Sequence, residues 1–265
     1  MASSSAALIL PIVDSLDLGG PTVLPLLPQI AIADTACIVA LPLAIDPAHA
    51  GRAAFGALVV IVAGGVVFVA LRKLQNSGVR KRVHDVSEER EFAIELRVNL
   101  AVLFALAGLA VWLHVSIMLA GFVYGMGVAG IGEPRRLARQ LFAVTDGFLA
   151  PLFFVWLGAT LNVRDLGSHP RLILLGVALG LGASLAHAVM RFTGQPLPVG
   201  MLGAAQLGVP VGAVTIGDQL GVLRPGEASA LILGALITVA VAVVGGALAA
   251  RAGDANASQP RRARE

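Results

Sequence analysis

The stretch that decides the fold reads Pro21-Thr-Val-Leu-Pro-Leu-Leu-Pro-Gln-Ile-Ala-Ile-Ala-Asp-Thr-Ala-Cys-Ile-Val-Ala-Leu-Pro-Leu-Ala-Ile45. It is about 25 residues long, which is enough for a helix to cross a hydrocarbon core of about 30 Å. Its single charged residue is Asp34, near the middle. A carboxylate at that depth costs at least about 2.5 kcal/mol and usually faces a bundle interior or a water-filled path. We therefore expect a functional role for Asp34, with a hydrogen-bonded structural carboxyl as the alternative.

The composition indicates that lipid surrounds most of the chain. Hydrophobic residues make up 57% of the 265 residues and charged residues 13%, against about 25% charged in soluble domains. The joint at His114 is so short that the helices on either side of it should form a close hairpin. The pattern predicts an all-α polytopic membrane protein with about eight spanning helices, at 22–45, 53–71, 98–113, 115–131, 141–161, 171–190, 199–218 and 228–250.

The N-terminus carries an apolar run that is too short to span a bilayer. It predicts a half-helix over residues 1–13, either re-entrant or cut off at its start. Because no lysine or arginine precedes Arg52, this segment is not a normal signal peptide. We assign residues 1–250 to a membrane domain and residues 251–265 to a polar cytoplasmic tail.

Basic residues are unevenly distributed over the joints between the apolar stretches. Fifteen of the 19 lysines and arginines fall in the 72–97 joint, around Arg135, at Arg191 and after residue 250. Because cytoplasmic loops carry an excess of Lys and Arg, this bias places the 72–97 loop and the C-terminus in the cytoplasm, in a multi-pass protein of the cell (inner) membrane. Acidic residues interrupt the basic loop and no aromatic residues interleave it, so the expected partner is the lipid bilayer, with no nucleic acid.

Glycine spacing suggests where helices approach one another. Gly176, Gly180, Ser184 and Ala188 form a ladder of small residues, and Gly121 with Gly125 forms a shorter one. Small residues at this spacing let membrane helices pack closely.

A second glycine-rich stretch, Gln206 to Gly217, places Gly208, Pro210 and Gly212 in mid-span. Such a stretch predicts either a broken helix at a substrate site or a simple proline kink.

Four stretches are informative together: Ser3-Ser-Ser-Ala-Ala-Leu-Ile-Leu-Pro11, Ala31-Ile-Ala-Asp-Thr-Ala-Cys-Ile38, Ala150-Pro-Leu-Phe-Phe-Val-Trp-Leu-Gly158, and Gln206 to Gly217. In this order and spacing they resemble the carboxy-terminal two-thirds of the bacterial cation/proton antiporter superfamily, sodium/proton exchanger type. The first stretch is similar to the end of the family's first discontinuous helix, and the second to the helix with its ion-binding acidic pair. The third is similar to the family's Pro-Leu-Phe-Phe…Gly helix, and the fourth to the second discontinuous helix.

The resemblance implies a monovalent cation:proton antiporter that exchanges Na+ or K+ for H+ by alternating access. It implies an inverted-repeat fold with two crossed helices in a core bundle, and a homodimer. Asp34 matches the carboxylate that binds a proton and a cation in turn, with Ser4, Ser5 and Thr35 beside it in the matched segments. No cofactor and no resident metal are implied.

The chain departs from the family pattern in three places. Members often have a polar or acidic residue directly before the matched carboxylate, but in this chain that residue is Ala33. The single carboxylate that remains favours one-for-one exchange. The 171–190 stretch has no lysine, and His187 is its titratable candidate beyond the terminal Arg171. Roughly the first five helices, with half of the inverted repeat, have no counterpart. A truncated, non-transporting remnant or a partner subunit is therefore the alternative.

Three further polar residues are supporting site candidates, each with a structural alternative. Gln206 could face the ion or hydrogen-bond backbone released at the break. His187 could be a ligand or a hydrogen-bonded packing histidine. Asp146 could serve the site, or it could be a helix-start acid that favours the positive end of the helix dipole.

Other classes of function fit less well. No His-Glu-x-x-His motif and no Gly-x-Gly-Asp motif occurs, so no membrane-embedded enzyme is expected. A gated potassium-efflux relative is closer, but the residues after Arg251 contain no glycine-rich strand-turn-helix of a nucleotide-binding domain.

Overall fold

The computed structural model describes residues 3–76, 94–130 and 135–257, and the regular structure in these ranges is helical, as predicted. A π-helical turn at Thr145–Leu149 and 3-10 turns at Pro47–His49 and Val189–Thr193 extend or join the helices. Most of the predicted 72–97 basic loop lies outside the described residues. The helices are α1 (Ala6–Ser15), α2 (Leu26–Ile45), α3 (Ala50–Asn76), α4 (Ile94–Trp112), α5 (Ile117–Gly130), α6 (Arg135–Val144), α7 (Ala150–Thr160), α8 (Val163–Ser168), α9 (Pro170–Ala188), α10 (Leu197–Gly203), α11 (Gly208–Gln219) and α12 (Glu227–Ala257).

Much of the helical structure is long and apolar enough to cross a membrane. Large apolar side chains lie at exposed positions, among them Phe192 at 88% and Trp112 at 75% exposure, which fits a surface that faces lipid. The predicted stretches 98–113 and 115–131 form shorter apolar helices. Within the described residues, six segments meet the length and hydropathy of a span: Leu26–Ile45, Pro47–Lys73, Arg139–Thr160, Pro170–Thr193, Leu197–Gln219 and Glu227–Ala252. The chain is a polytopic membrane protein.

Several helix ends differ from those predicted. The N-terminal half-helix covers Ala6–Ser15 instead of 1–13, because the serines before it are extended. Residues 21–25, which contain two prolines, form a turn, so α2 begins at Leu26. At the other end α12 continues to Ala257, so the first residues of the predicted polar tail are helical.

The described chain forms two compact units, Met1–Cys37 with Leu161–Glu265, and Ile38–Thr160. In the first unit α9 packs along α12 with glycines at the contact. A Cβ atom added at Gly176 would lie 2.8 Å from the carbonyl oxygen of Ala230, and one at Gly180 would lie 2.8 Å from that of Gly234. This confirms the predicted close approach of the α9 ladder at its two glycines.

In the second unit α3, α4 and α5 pack around a core that includes Val60, Leu106 and Leu119. The tight joint at His114 does produce a close α4–α5 pair. The predicted close approach at Gly121 and Gly125 is not found within the described residues, where a Cβ atom at either glycine would meet nothing within 4 Å. The close approach uses a glycine of α3 instead, because a Cβ atom at Gly56 would lie 2.9 Å from Val115 Cγ1.

Candidate ion-binding site

The chain before α1 is extended and buried. Ser3, Ser4 and Ser5 are 6%, 1% and 4% exposed, and Ser5 has φ −119° and ψ 115°. Serine hydroxyls compete for backbone hydrogen bonds and so favour helix starts over helix interiors. The serine run therefore ends in a helix N-terminus, with Ala6 as the first residue of α1.

The second interruption lies between α10 and α11, where residues 204–207 are irregular and buried. The sequence predicted this break at Gly208, Pro210 and Gly212. That position was wrong, because these three residues lie inside α11. Pro210 is the third residue of α11, where backbone N–H groups have no intrahelical partner. It therefore starts the half-helix without losing a hydrogen bond.

The two interrupted segments contact each other directly. The Ser5 N–H donates to the Ala205 carbonyl oxygen at 2.8 Å, and the Ser4 hydroxyl donates to the Gly203 carbonyl oxygen at 2.7 Å. Gly203 ends α10, so its carbonyl is one of the groups that a helix C-terminus leaves without an intrahelical partner. These bonds satisfy polar backbone that would otherwise be unpaired at membrane depth.

Asp34 lies at the N-terminus of α1. Its side chain projects from α2 and is half-buried, and its Oδ2 accepts a 3.0 Å hydrogen bond from the backbone N–H of Ala6. The N-terminal end of a helix carries positive partial charge and favours an anion there. A carboxylate has about four lone-pair sites, and the described residues fill one of them by hydrogen bonding. The remainder of Asp34 can take a proton or a small cation.

Gln206 is fully buried in the break between α10 and α11. Its backbone N–H donates to Thr238 Oγ1 at 3.1 Å, and its side-chain Oε1 accepts from the Val209 N–H at 3.3 Å. Its Nε2 has no hydrogen-bond partner within the described residues. In the described part of the chain, the hydrogen bonds of Gln206 go to Val209 and Thr238 at the break, and none joins it to Asp34.

Thr238 is a residue that the sequence analysis missed. It is fully buried on α12 and holds the irregular segment at Gln206. The sequence does contain a feature that could have identified Thr238, because it is a polar residue in the middle of the apolar stretch 228–250.

His187 lies at the end of α9 and is buried at 7% exposure. Its Nε2 is 3.2 Å from the Ser4 hydroxyl oxygen, and its Nδ1 is 3.0 Å from the Ala183 carbonyl oxygen. Two of the predicted site residues, Ser4 and His187, are thus brought together.

Two other predicted residues have different surroundings. The Thr35 hydroxyl donates to the Ala31 carbonyl oxygen at 2.7 Å, within its own helix. Asp146 belongs to the second unit, and its side chain is exposed. It lies in the π-helical turn between α6 and α7, well inside the Arg139–Thr160 span. The interpretation of Asp146 as a helix-start acid was therefore wrong, because α6 already begins at Arg135.

A resident metal centre finds no support in the described side chains, which include no cluster of three or more His, Cys, Asp or Glu residues that could hold one. Interrupted helices that meet beside an ionisable residue at membrane depth are typical of secondary transporters. A transported cation would be substrate here.

Comparison with known proteins agrees with this class. Residues 1–250 match the family model described as "Sodium/hydrogen exchanger, transmembrane". The chain therefore belongs to the sodium/hydrogen exchanger family, whose members are transporters and not enzymes. It is also similar to "Putative Na(+)/H(+) antiporter YjbQ" of Bacillus subtilis (strain 168), with 28% identity over 188 residues. That match covers 68% of this chain and 30% of the relative. No solved structure matches the chain at a significant level.

Proposed function

We propose that this chain exchanges a monovalent cation, Na+ or K+, for H+ across the membrane, with Asp34 as the carboxylate that the two ions share. The observation that carries the proposal is the hydrogen bond from Ala6 N–H to Asp34 Oδ2, at 3.0 Å. It puts an ionisable group at the start of a half-helix, where the positive end of the helix dipole stabilises the anion after the proton leaves. Family membership supports the same chemistry.

In this proposal the two ions compete for one group. When Asp34 is ionised, its oxygens outside the Ala6 hydrogen bond coordinate a dehydrated cation. When a proton arrives it neutralises the carboxylate, and the cation loses the charge that held it. A transporter that changes its access only when Asp34 is neutralised by one ion or the other would couple the two fluxes.

The proposal includes a finer architecture. Residues 1–250 form the membrane domain, as part of an inverted-repeat exchanger in which α1 and the α10–α11 pair are the crossed helices. Two copies form a homodimer, and the C-terminus is cytoplasmic. The contacts of Ser4 and Ser5 with Gly203 and Ala205 support the crossing of these helices.

The test is proton flux in proteoliposomes that hold a pH-sensitive dye and receive a pulse of NaCl or KCl. Asp34→Asn keeps the shape but cannot ionise, so it should reduce the cation-driven pH change to that of protein-free liposomes. Asp218→Asn is the matched control, because it removes an exposed carboxylate near the end of α11 and should retain most of the activity. Wild-type rates from Asp34→Asn would refute the assignment, and the salt that gives the larger response identifies the preferred cation.

A further inference from the structure

The break between α10 and α11 contains a buried side-chain amide whose hydrogen bonding is only half satisfied. Residues 204–207 lie in the middle of the Leu197–Gln219 span, and Gln206 is fully buried there. The backbone N–H and carbonyl of Gln206 are both within hydrogen-bond distance of Thr238 Oγ1. Its side-chain Nε2 has no hydrogen-bond partner among the described residues. A buried amide whose N–H groups are unpaired is costly, so an acceptor is expected beside Nε2.

The orientation of the Gln206 amide follows from its contact with Val209. The Val209 N–H can only donate, so the side-chain atom that it meets at 3.3 Å is assigned as Oε1. Val209 is the second residue of α11, a helix of 12 residues. The amide therefore lies over the N-terminus of this helix. Because Nε2 is bonded to the same carbon as Oε1, it lies beside the first turn.

Backbone groups in the same segment also have no hydrogen-bond partners within the described chain. The N–H groups of Leu207 and Gly208 donate to no described acceptor, and the Ala204 carbonyl oxygen accepts from no described donor. Ala204 and Leu207 are buried, at 0% and 5% exposure. Residues 204–208 thus combine several N–H donors with one carbonyl acceptor, at a depth where lipid offers no hydrogen-bond partners.

From these groups we infer that the break between α10 and α11 binds ordered water. The water oxygen accepts from the N–H groups of Gln206 Nε2 and Gly208, and a water hydrogen donates to the Ala204 carbonyl. A buried water typically makes about three hydrogen bonds to polar groups that have no other partner. An anion could accept from the donors but would repel the carbonyl oxygen, and a cation would be repelled by the N–H groups. Water satisfies both kinds of group.

This water site is distinct from the proposed cation site at Asp34. Gln206 would bind a cation through Oε1, but that atom faces the Val209 N–H. The water lies in the segment that contacts α1, because Ala205 in this segment accepts from the Ser5 N–H. It stabilises the break at membrane depth and does not compete with the transported cation.

Water-edited solid-state NMR of the full chain in lipid bilayers tests the inference without measuring transport. The protein is labelled with 13C and 15N, and magnetisation is transferred from water to the Gln206 side-chain amide and the Gly208 backbone amide. Through-bond correlation from the assigned backbone identifies the Gln206 signal. Gln219, exposed at the end of α11, is the hydrated control, and the Val60 amide, fully buried within α3, is the dry control.

In the wild-type protein, the Gln206 Nε2 and Gly208 signals should rise as early as that of the hydrated control and well before that of the dry control. Gln206→Met has a side chain of similar length without donors, so it should remove one partner of the water and reduce the transfer to Gly208. Gln29→Met is the matched control. The described partner of Gln29 is Gln195, outside the break, so this variant should leave the transfer to Gly208 unchanged.

Two results from the wild-type protein alone would overturn the inference, so it stays testable if Gln206→Met does not fold. If the Gln206 and Gly208 signals rise as slowly as the dry control, the break holds no water. If their chemical shifts change when chloride is replaced by gluconate, an anion occupies the site in place of water. In Gln206→Met, unchanged transfer to Gly208 would show that the amide does not bind the water.

Discussion

The backbone N–H of Ala6 donates a 3.0 Å hydrogen bond to Oδ2 of Asp34, across 28 residues of sequence. One group is the first N–H of α1 and the other is the acid in the middle of α2. The hydrogen bond thus joins the start of a half-helix to the residue that we propose as the ion carrier. Movement of either helix would change the surroundings of the carboxylate.

This hydrogen bond can be removed without touching the acid. Ala6→Pro deletes the N–H at the first position of α1, where proline is well tolerated, and the extended Ser5 before it suits a following proline. Because hydrogen bonds to charged groups contribute about 1.5 to 3 kcal/mol, the substitution should lower the free energy of unfolding by about that amount. Chemical unfolding in mixed micelles measures it.

A double-mutant cycle provides the control for Ala6→Pro. In an Asp34→Ala background the acceptor is already absent, so adding Ala6→Pro should cost much less than in the wild type. Equal costs in the two backgrounds would mean that the two groups do not interact, and the contact at the carboxylate would be wrong.

The glycines of α9 give a matched pair for testing helix contact. Gly180→Ala places a Cβ atom 2.8 Å from the Gly234 carbonyl oxygen and 2.8 Å from Ile237 Cβ. Neither atom is the end of a flexible side chain, so the helices must separate, at a cost of about 1 to 3 kcal/mol. Gly182→Ala, two residues further along and on the other side of the helix, has open space around its Cβ atom. It should be neutral or stabilising by up to about 1 kcal/mol, since alanine favours helix. Equal thermal stability of the two variants would contradict the packing.

Asp34 could be chosen as a candidate from the sequence, because an acid within an apolar stretch is visible without coordinates. The backbone N–H of Ala6, which donates to Asp34, could not be predicted. Every residue other than proline carries such a group, and nothing in the sequence distinguishes Ala6. Ser4 and His187 were both candidates, but they are 183 positions apart. Spacing along the chain gave no reason to pair them.

The break between α10 and α11 shows a different limit. Glycine and proline pointed to residues 208–212, yet the chain unwinds at 204–207. Local propensity locates an interruption only approximately, because the exact turn depends on tertiary partners. Here those partners are Ser5, which donates to Ala205, and Thr238, which accepts from Gln206.

The orientation in the membrane stays a prediction from the basic residues. In a Cys37→Ser background, Thr193→Cys lies in a joint predicted to be cytoplasmic, and Val222→Cys lies in a joint predicted to be external; both positions are exposed. A membrane-impermeant maleimide added to intact cells should label Val222→Cys and spare Thr193→Cys until the membrane is permeabilised. The reverse pattern would invert the topology.

The stoichiometry follows from the number of acids that the site can offer. Asp34 is the only acidic residue of α2, and Ala33 stands before it. One carboxylate that releases one proton for each monovalent cation moves no net charge. Exchange in proteoliposomes should therefore proceed at the same rate with and without a potassium diffusion potential set by valinomycin, measured with a sodium pulse and a pH-sensitive dye. A rate that follows the imposed potential would show that a second proton moves in each cycle.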